Sequence, residues 1–559
     1  MSTPTTKLRF GIMCNSLEFP AWEAECIRAL CRVAEPVILF LDEGAQPQRV
    51  GFFGKLRKLL FDPEMPWTLF LRRIGNRGST ALPRVDLTDE LGQLEQRRVK
   101  TINKGRFSRY FPEDDIAVVR ESKVDFIMRF AFGILRGEVL QAPRYGVWSF
   151  HHDDIEKYRG GPPCFWEIYH GDDVTGATLQ RITDRLDGGI VLRRGYFRTA
   201  KTSYRVNRDS VYHASAIWPA QVCRDIQHDN AAYLDDEPTK SDAPIYYRPT
   251  RWQLAVFLLR VFRNYLGAQL RPLLKSDQWN VGVVQAGPEE WLQSKPMEKV
   301  RWFPSRPRRE FVADPFPSVD REGEVLVESY DYRNETGFIT AYDAATGEVL
   351  DDGGIRESHH LSYPLTVSVD GSLYCLPECA SQGELRWYRR EGKDWKPAGT
   401  LLQEPVLDAT LLEHDGRWWL FGTKLNDGQD TKLFIWSAEA PEGPWEPHPL
   451  NPVKADVRSS RPAGRFFRHE GKLYRPAQDC SAGYGGAVAI NRVERLTRES
   501  FAEVEVARIE PEKNGPYPSG LHTLCVDGRQ TVVDGKREIF IPRASWNHLC
   551  RRVRRLFKR

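Results

Sequence analysis

Five times between residues 320 and 528 an apolar segment runs into an acidic residue and a glycine, then into another apolar or aromatic segment. The five turns are Asp320-Arg321-Glu322-Gly323, Asp370-Gly371, Asp415-Gly416, Glu470-Gly471 and Asp527-Gly528, and their glycines lie 48, 45, 55 and 57 residues apart. An acidic residue and glycine between apolar strands mark a tight β-hairpin, because its central residues need positive φ. A repeat near 50 residues with several strands per unit is the signature of a β-propeller. Residues 300–545 are therefore expected to form an all-β propeller, and five hairpins predict five blades.

Each hairpin follows a short polar cluster: Ala313-Asp314-Pro315-Phe316, Leu361-Ser362-Tyr363-Pro364, Leu407-Asp408-Ala409-Thr410, Ser460-Arg461-Pro462-Ala463 and Gly520-Leu521-His522-Thr523. Equivalent positions on the innermost strands of a propeller meet at one mouth of the channel. The expected pocket contains Asp314, Tyr363, Asp408, Arg461 and His522, with Glu378, Gln478 and Asp479 nearby. The alternative is that Asp and Ser only cap strand starts by accepting backbone N–H bonds. Arg and His are poor caps, which favours the pocket. An arginine facing two carboxylates suits a phosphate or an acidic sugar.

The first half has a different pattern. Lys7–Cys14 reads as a strand, Pro20–Val33 as a helix and Pro36–Leu41 as an apolar strand, the opening of a mostly parallel α/β sheet. No Gly-x-Gly-x-x-Gly follows the first strand, so a dinucleotide site has no support. A helix over Asp114–Lys123 and a strand over Val124–Phe132 come next. The strand Val147–Phe150 then runs into His151 and His152, and a second strand over Thr175–Ile182 leads to an acidic turn containing Asp187. Open α/β sheets hold their chemistry outside the carboxyl ends of strands. A histidine with a carboxylate partner is a common general acid/base pair.

The stretch Ser149-Phe150-His151, Tyr158-Arg159-Gly160, Gly171-Asp172-Asp173-Val174-Thr175-Gly176-Ala177-Thr178 and Leu186-Asp187-Gly188-Gly189 resembles the core of the folate-dependent formyltransferases, with 36 residues from His151 to Asp187. The resemblance covers roughly residues 6–225. It implies a Rossmann-like α/β fold and N10-formyltetrahydrofolate as the formyl donor. It also implies that His151 takes the amine proton and Asp187 orients or charge-stabilises it. Ser149 stands where the family has an asparagine that donates to the formyl oxygen. Losing one such donor typically costs about 100- to 1000-fold in rate. The family's folate wall matches Ala131, Phe132, Gly133, Ile134 and Leu135, while Pro163, Thr175 and Gly176 are expected to shape the site.

Residues 275–545 resemble the five-bladed propellers related to glycoside hydrolase family 43 and, more closely, the soluble domain of plant glucosamine inositol phosphorylceramide transferases. The segments Phe311–Phe316, His360–Pro364, Asp408–Leu411, Ser460–Gly464 and Arg475–Asp479 carry that resemblance. A hydrolase of that family needs two Asp and a Glu acid. Asp314 and Asp408 match the first two, whereas Arg461 stands where the acid is expected.

Of 559 residues, 80 are Lys or Arg and 76 are Asp or Glu. That near balance excludes a dedicated nucleic-acid binder. The ten cysteines form no Cys-x-x-Cys pair, which predicts reduced thiols and no zinc site. No apolar run has signal-peptide or membrane-spanning length, so the expected location is cytoplasmic. Three basic, apolar-interleaved segments (55–61, 251–275 and 549–559) raise peripheral contact with an anionic membrane at its inner face; the alternative for 251–275 is a bridging helix. The expected organisation is a formyltransferase-like domain over 1–225, a linker with an amphipathic helix over 226–299, the propeller over 300–545 and a basic tail over 546–559. Formyl transfer to the amine of a nucleotide- or lipid-linked amino sugar unites the two halves. The alternatives are a retired formyltransferase scaffold beside a sugar-transferring propeller, and two non-catalytic sugar-binding modules.

Overall fold

The computed structural model describes residues 7–45, 64–104, 107–185, 188–293, 297, 299–350 and 353–557. The chain divides into two units, Met1–Tyr265 and Leu266–Arg559.

In the first unit β1 (Leu8–Cys14), α1 (Ala21–Cys31) and β2 (Ala34–Asp42) make the expected β-α-β opening, followed by β3 (Glu95–Val99), α2 (Glu113–Glu121) and β4 (Phe126–Arg129). Then come β5 (Val147–His151), α3 (Trp166–His170), β6 (Val174–Arg181), β7 (Ile190–Arg198), α4 (Tyr204–Ser215) and α5 (Trp218–Gln227). They form a seven-stranded sheet in the order β7-β6-β5-β4-β1-β2-β3. The five strands from β5 to β3 are parallel, and β6 and β7 add antiparallel to that edge. Phe10, Ile12, Ile38, Phe40, Phe126 and Ile127 are wholly buried. Such runs of consecutive apolar residues belong to strands covered on both faces. The chain leaves β1 toward β2 on one side and later fills β4 on the other. The resulting crevice lies at the carboxyl ends of β1 and β4. β4 stops at Arg129, short of the expected Phe132, because Phe132 (φ 70°) and Gly133 (φ 58°) turn the backbone into the left-handed region. Ser203 caps α4 by accepting from the Val206 N–H.

α6 (Arg251–Leu274) runs across the division between the units. The second unit is built from small antiparallel sheets. One joins strands from both ends of the unit: Ser276–Val284 pairs along its whole length with Gln530–Ile539, beside Leu524–Asp527 and Arg301–Trp302. Ser276–Val284 therefore belongs to this unit rather than to a linker over 226–299. Its partner strand is distant in sequence, and Trp279, Val281 and Val283 are buried. The other sheets begin at Glu310–Pro317, Ser362–Val369, Val406–His414 and Phe467–His469 and continue as successive hairpins. The turns are those expected. Asp370 and Gly371, Asp415 and Gly416, and Glu470 and Gly471 all have φ between 48° and 73°, the geometry of a two-residue hairpin that matches strand twist. The chain ends in α7 (Pro542–Phe557). No helix among the described residues is long and apolar enough to cross a membrane. The basic segment 55–61 lies outside the described residues.

Candidate functional site

In the first unit a cleft of about 790 Å³ opens beside the carboxyl ends of β4 and β5. The strand alternation of β5 sorts its two histidines. His151 lines the cleft, and its Nε2 lies 3.0 Å from the Tyr158 carbonyl. A carbonyl only accepts, so Nε2 carries the proton and the lone pair of the neutral ring sits on Nδ1. Tyr158 is itself fixed, because its hydroxyl donates to Asp172 at 2.9 Å. The Tyr-Arg-Gly and Gly-Asp motifs thus meet to hold the carbonyl that sets the tautomer. His152 points the other way, against Trp22, Phe150 and Tyr212, with Nε2 3.1 Å from the Ser215 hydroxyl. Burial lowers its pKa to about 3, so it is a neutral core residue.

Ser149 also faces the cleft, and its Oγ accepts from Arg129 Nε at 3.2 Å and Nη2 at 2.8 Å. Arg129 additionally donates to the Gly133 carbonyl and, at 3.3 Å, to that of Ala131. The residue at the end of β4 therefore braces the next turn and brings a guanidinium beside Ser149. Sequence reading did not single out Arg129; its signal was a lone charge closing an apolar strand.

Of the expected folate wall, Gly133, Ile134 and Leu135 line the cleft, whereas Ala131 and Phe132 are buried. The Phe132 ring packs 5.2 Å from that of Phe111. Pro163 is on the wall. Thr175 and Gly176 are not. The Thr175 hydroxyl is wholly buried in a network with Thr199 (3.0 Å) and Asn207 (3.0 Å). A Cβ on Gly176 would sit 2.6 Å from Asp154 Cα. These two residues seat the backbone after His152 instead of touching a ligand. Asp187 lies outside the described residues. Four arginines, Arg129, Arg185, Arg208 and Arg248, face the cleft against one described carboxylate, Asp184. Two exposed aromatic rings, Phe107 and Tyr247, stand at its rim.

In the second unit, three strands carry the same device. Asp314, Tyr363 and Asp408 each have φ 49°, and in each strand the register shifts at that residue. Such bulges re-aim one side chain per strand. Asp408 accepts from Arg461 Nε at 2.5 Å and Nη2 at 3.3 Å and from Gln478 Nε2 at 2.7 Å. Glu378 joins them by accepting the Asp408 N–H at 3.2 Å. Asp314 accepts from the Thr523 hydroxyl at 2.8 Å and lies 3.6 Å from His522 Nε2. His522 Nδ1 rests against Asp534, which also accepts the N–H groups of His522 and Thr523. The cluster thus brings together Asp314, Glu378, Asp408, Arg461, Gln478 and His522. Tyr363 turns into the apolar core, where its hydroxyl meets Thr410 at 2.9 Å and accepts from the Gly464 N–H at 2.7 Å. Asp479 is paired with Arg508 instead of the cluster.

The charge balance corrects the phosphate expectation. Arg461 is buried and spent on Asp408 and on Asp430, the latter at 3.2 Å. Burial opposes the charge on His522, but Asp534 and Asp314 outweigh it and hold the ring protonated above its usual range. Burial raises the Asp314 carboxyl to about 6. Burial and neighbouring carboxylates push Glu328 and Glu378 well above the carboxylate range. Glu328, opposite Ala313 in the next strand, and Asp534 were missed in the sequence; each is a lone acid inside an apolar strand.

Residues 93–203 match the family model described as Formyl transferase, and residues 297–522 match that of Glucosamine inositolphosphorylceramide transferase 1, N-terminal. The chain is 34% identical over 251 residues to Glucosamine inositolphosphorylceramide transferase 1 of Oryza sativa subsp. japonica, covering 41% of this chain and 33% of that relative. It is 36% identical over 87 residues to the methionyl-tRNA formyltransferase of Agathobacter rectalis, covering 15% of this chain and 28% of the relative. The chain thus spans about a third or less of the length of these relatives. Among solved structures, glycinamide ribonucleotide transformylase 1 from Symbiobacterium toebii is similar at 13% identity and TM-score 0.26, over 41% of this chain and 90% of that one. The chain joins a formyltransferase-like α/β region to a β-rich region similar to the N-terminal part of the plant transferases.

Proposed function

We propose that the first unit transfers a formyl group from N10-formyltetrahydrofolate to the amine of an amino sugar. The observation that carries this is His151, whose Nε2–H bond to the Tyr158 carbonyl leaves Nδ1 as the basic atom in a cleft it shares with Ser149 and Arg129. Bound folate would supply the activated formyl carbon. The cleft fits such a group, with backbone from Gly133 to Leu135 along one side and apolar surface from Phe107, Ile134 and Ile182. As the amine nitrogen bonds to the formyl carbon and the bond from that carbon to the folate nitrogen breaks, the attacking nitrogen must shed a proton. His151 Nδ1 takes it. The Ser149 hydroxyl and the Arg129 guanidinium face the charge that develops on the formyl oxygen, and donors placed there act where charge forms. Arg129 thereby replaces the amide donor that the family draws from asparagine. The four arginines suit an acceptor that also carries phosphate, as nucleotide- and lipid-linked sugars do.

We read the sheets of the second unit as five propeller blades around a sugar site. Its proton-holding carboxyls Asp314, Glu328 and Glu378 favour a neutral or amine-bearing sugar over a phosphate. They also support a second reading, in which this unit performs the sugar chemistry and the first is a scaffold, because carboxyls that stay protonated near neutrality act as general acids.

Titration calorimetry with a non-hydrolysable N10-formyltetrahydrofolate analogue tests the first reading. Saturable binding by the wild type and by His151→Ala, with formyl transfer to amino-sugar nucleotides lost only in the variant, supports it. Arg129→Leu should keep binding and lower turnover about 100-fold or more. No binding by the wild type overturns the reading and moves attention to the second unit.

A further inference from the structure

The helix α6 packs by one side only. Leu254 and Phe257 are buried among Trp67, Phe165 and Tyr204, and the Phe257 ring stacks 4.3 Å from that of Phe165. On the opposite side Trp252, Leu259, Leu266 and Leu270 recur at helical spacing, flanked by Phe262 and Leu274, and all six are exposed. Trp252 is 75% exposed and Leu259 67%. With 3.6 residues per turn these side chains form one apolar stripe along the length of the helix. A stripe this long is ordinarily covered by something.

The charges on the helix identify what covers it. Arg251, Arg260, Arg263 and Arg271 are its charged residues, and it contains no Asp or Glu. Arg260 and Arg271 are engaged, by the Tyr169 carbonyl and by Glu538 respectively. Arg251 and Arg263 are exposed beside the stripe. The second unit repeats the combination in α7, which has exposed Trp546 and Leu549, exposed Arg552 and Arg554, and no acid. A second copy of this chain would set arginine against arginine with no carboxylate on the helix to answer it. A bilayer with anionic headgroups answers both features at once. Apolar side chains enter the acyl boundary, tryptophan sits at the headgroup level, and arginine meets lipid phosphate.

We propose that the exposed face of α6 is a docking surface for an anionic lipid bilayer, on which the helix lies in the plane of the interface without spanning it. This holds whether or not the first unit transfers formyl groups, since none of these residues lines the cleft.

Co-sedimentation of the full chain with vesicles tests it. Phosphatidylcholine vesicles containing phosphatidylglycerol should pull the protein down, pure phosphatidylcholine vesicles should not, and added salt should weaken binding several-fold. Leu259→Asp removes one apolar contact and sets a carboxylate against the lipid, and should weaken binding about tenfold or more. Trp252→Ser, at the exposed start of the helix, should act in the same direction with an unchanged circular dichroism spectrum and melting temperature. Three results would overturn the proposal: no binding to the anionic vesicles, equal binding to both vesicle types, or binding undiminished in both variants. A concentration-dependent dimer in analytical ultracentrifugation that Leu259→Asp dissociates would also overturn it, by assigning the stripe to a second copy.

Discussion

Replacing Arg461 by methionine isolates its role as a counter-ion. Methionine keeps most of the apolar stem that lies over the Tyr484 ring, 4.8 Å from the guanidinium carbon, and removes only the charge and its donors. Asp408, 2% exposed, then keeps one side-chain donor, Gln478, with Glu378 bonded to its own N–H. A buried carboxylate stripped of its partner costs about 3–5 kcal/mol. The alternative is to protonate it, and at pH 7 a carboxyl of ordinary pKa near ~3.9 takes up a proton at a cost of roughly 4 kcal/mol. Both routes put the loss near ~3–4 kcal/mol. The protonation route also fixes the sign of the pH dependence. The folded variant holds a proton that its unfolded chain releases, so the penalty grows as pH rises above ~4 and shrinks to roughly 1.5 kcal/mol at pH 5. Urea unfolding of the full chain at the two pH values, with Asp408→Asn/Arg461→Met beside it, measures this. The double variant carries no orphaned charge and should recover most of the loss. A single-variant loss under ~1 kcal/mol at pH 7, a loss independent of pH, or no recovery in the double variant would refute the counter-ion role. Each of those results would return Arg461 to the ligand-binding role read from the sequence.

Two further outcomes follow from the first unit. His152 has a folded pKa of about 3 against an ordinary value of 6.5. Between these values the unfolded chain holds the proton and the native one does not, so its contribution is complete above pH 6.5 and is lost as pH falls toward 3. Removing the ring with His152→Phe should flatten the stability–pH slope over that window in acid melts, whereas His151→Ala should leave the slope unchanged. Gly176→Ala places a Cβ 2.6 Å from Asp154 Cα, and should lower stability by about 1–3 kcal/mol. It should also weaken folate-analogue binding in calorimetry, by moving the segment that follows His152.

The local parts of the fold were legible in the sequence. An acidic residue and a glycine both demand positive φ in a tight hairpin, and this signal needs no distant partner to be read. Ser276–Val284 was not legible as a member of the β-rich unit, because its pairing partner Gln530–Ile539 lies at the other end of that unit. The same contrast runs through the sites. His151 was found because the strand and turn around it carry a recognisable motif, and its sorting from His152 follows from alternation. Thr175 and Gly176 were taken for ligand contacts because they share that motif, yet motif positions also preserve packing, which spacing alone does not separate. Arg129, Glu328 and Asp534 went unremarked although each breaks an apolar strand with a charge. Periodicity detects such a break but does not tell which other charges the fold brings to it. Arg461 was seen but misread, since its employment by Asp408 depends on two strands meeting.

The bulges at Asp314, Tyr363 and Asp408 share one backbone angle but hold unlike side chains, two acids and a phenol. The kink is a property of the strand and the chemistry a property of the occupant, which makes each position a socket of fixed aim. A single codon change can exchange what a socket holds while its neighbours keep their hydrogen-bonding register. A scaffold of this kind can change the sugar it handles, or give up turnover for recognition, without rebuilding its core. Tyr363 shows one socket already surrendered to packing, and the two aspartates show where such a chain retains the means to acquire new chemistry.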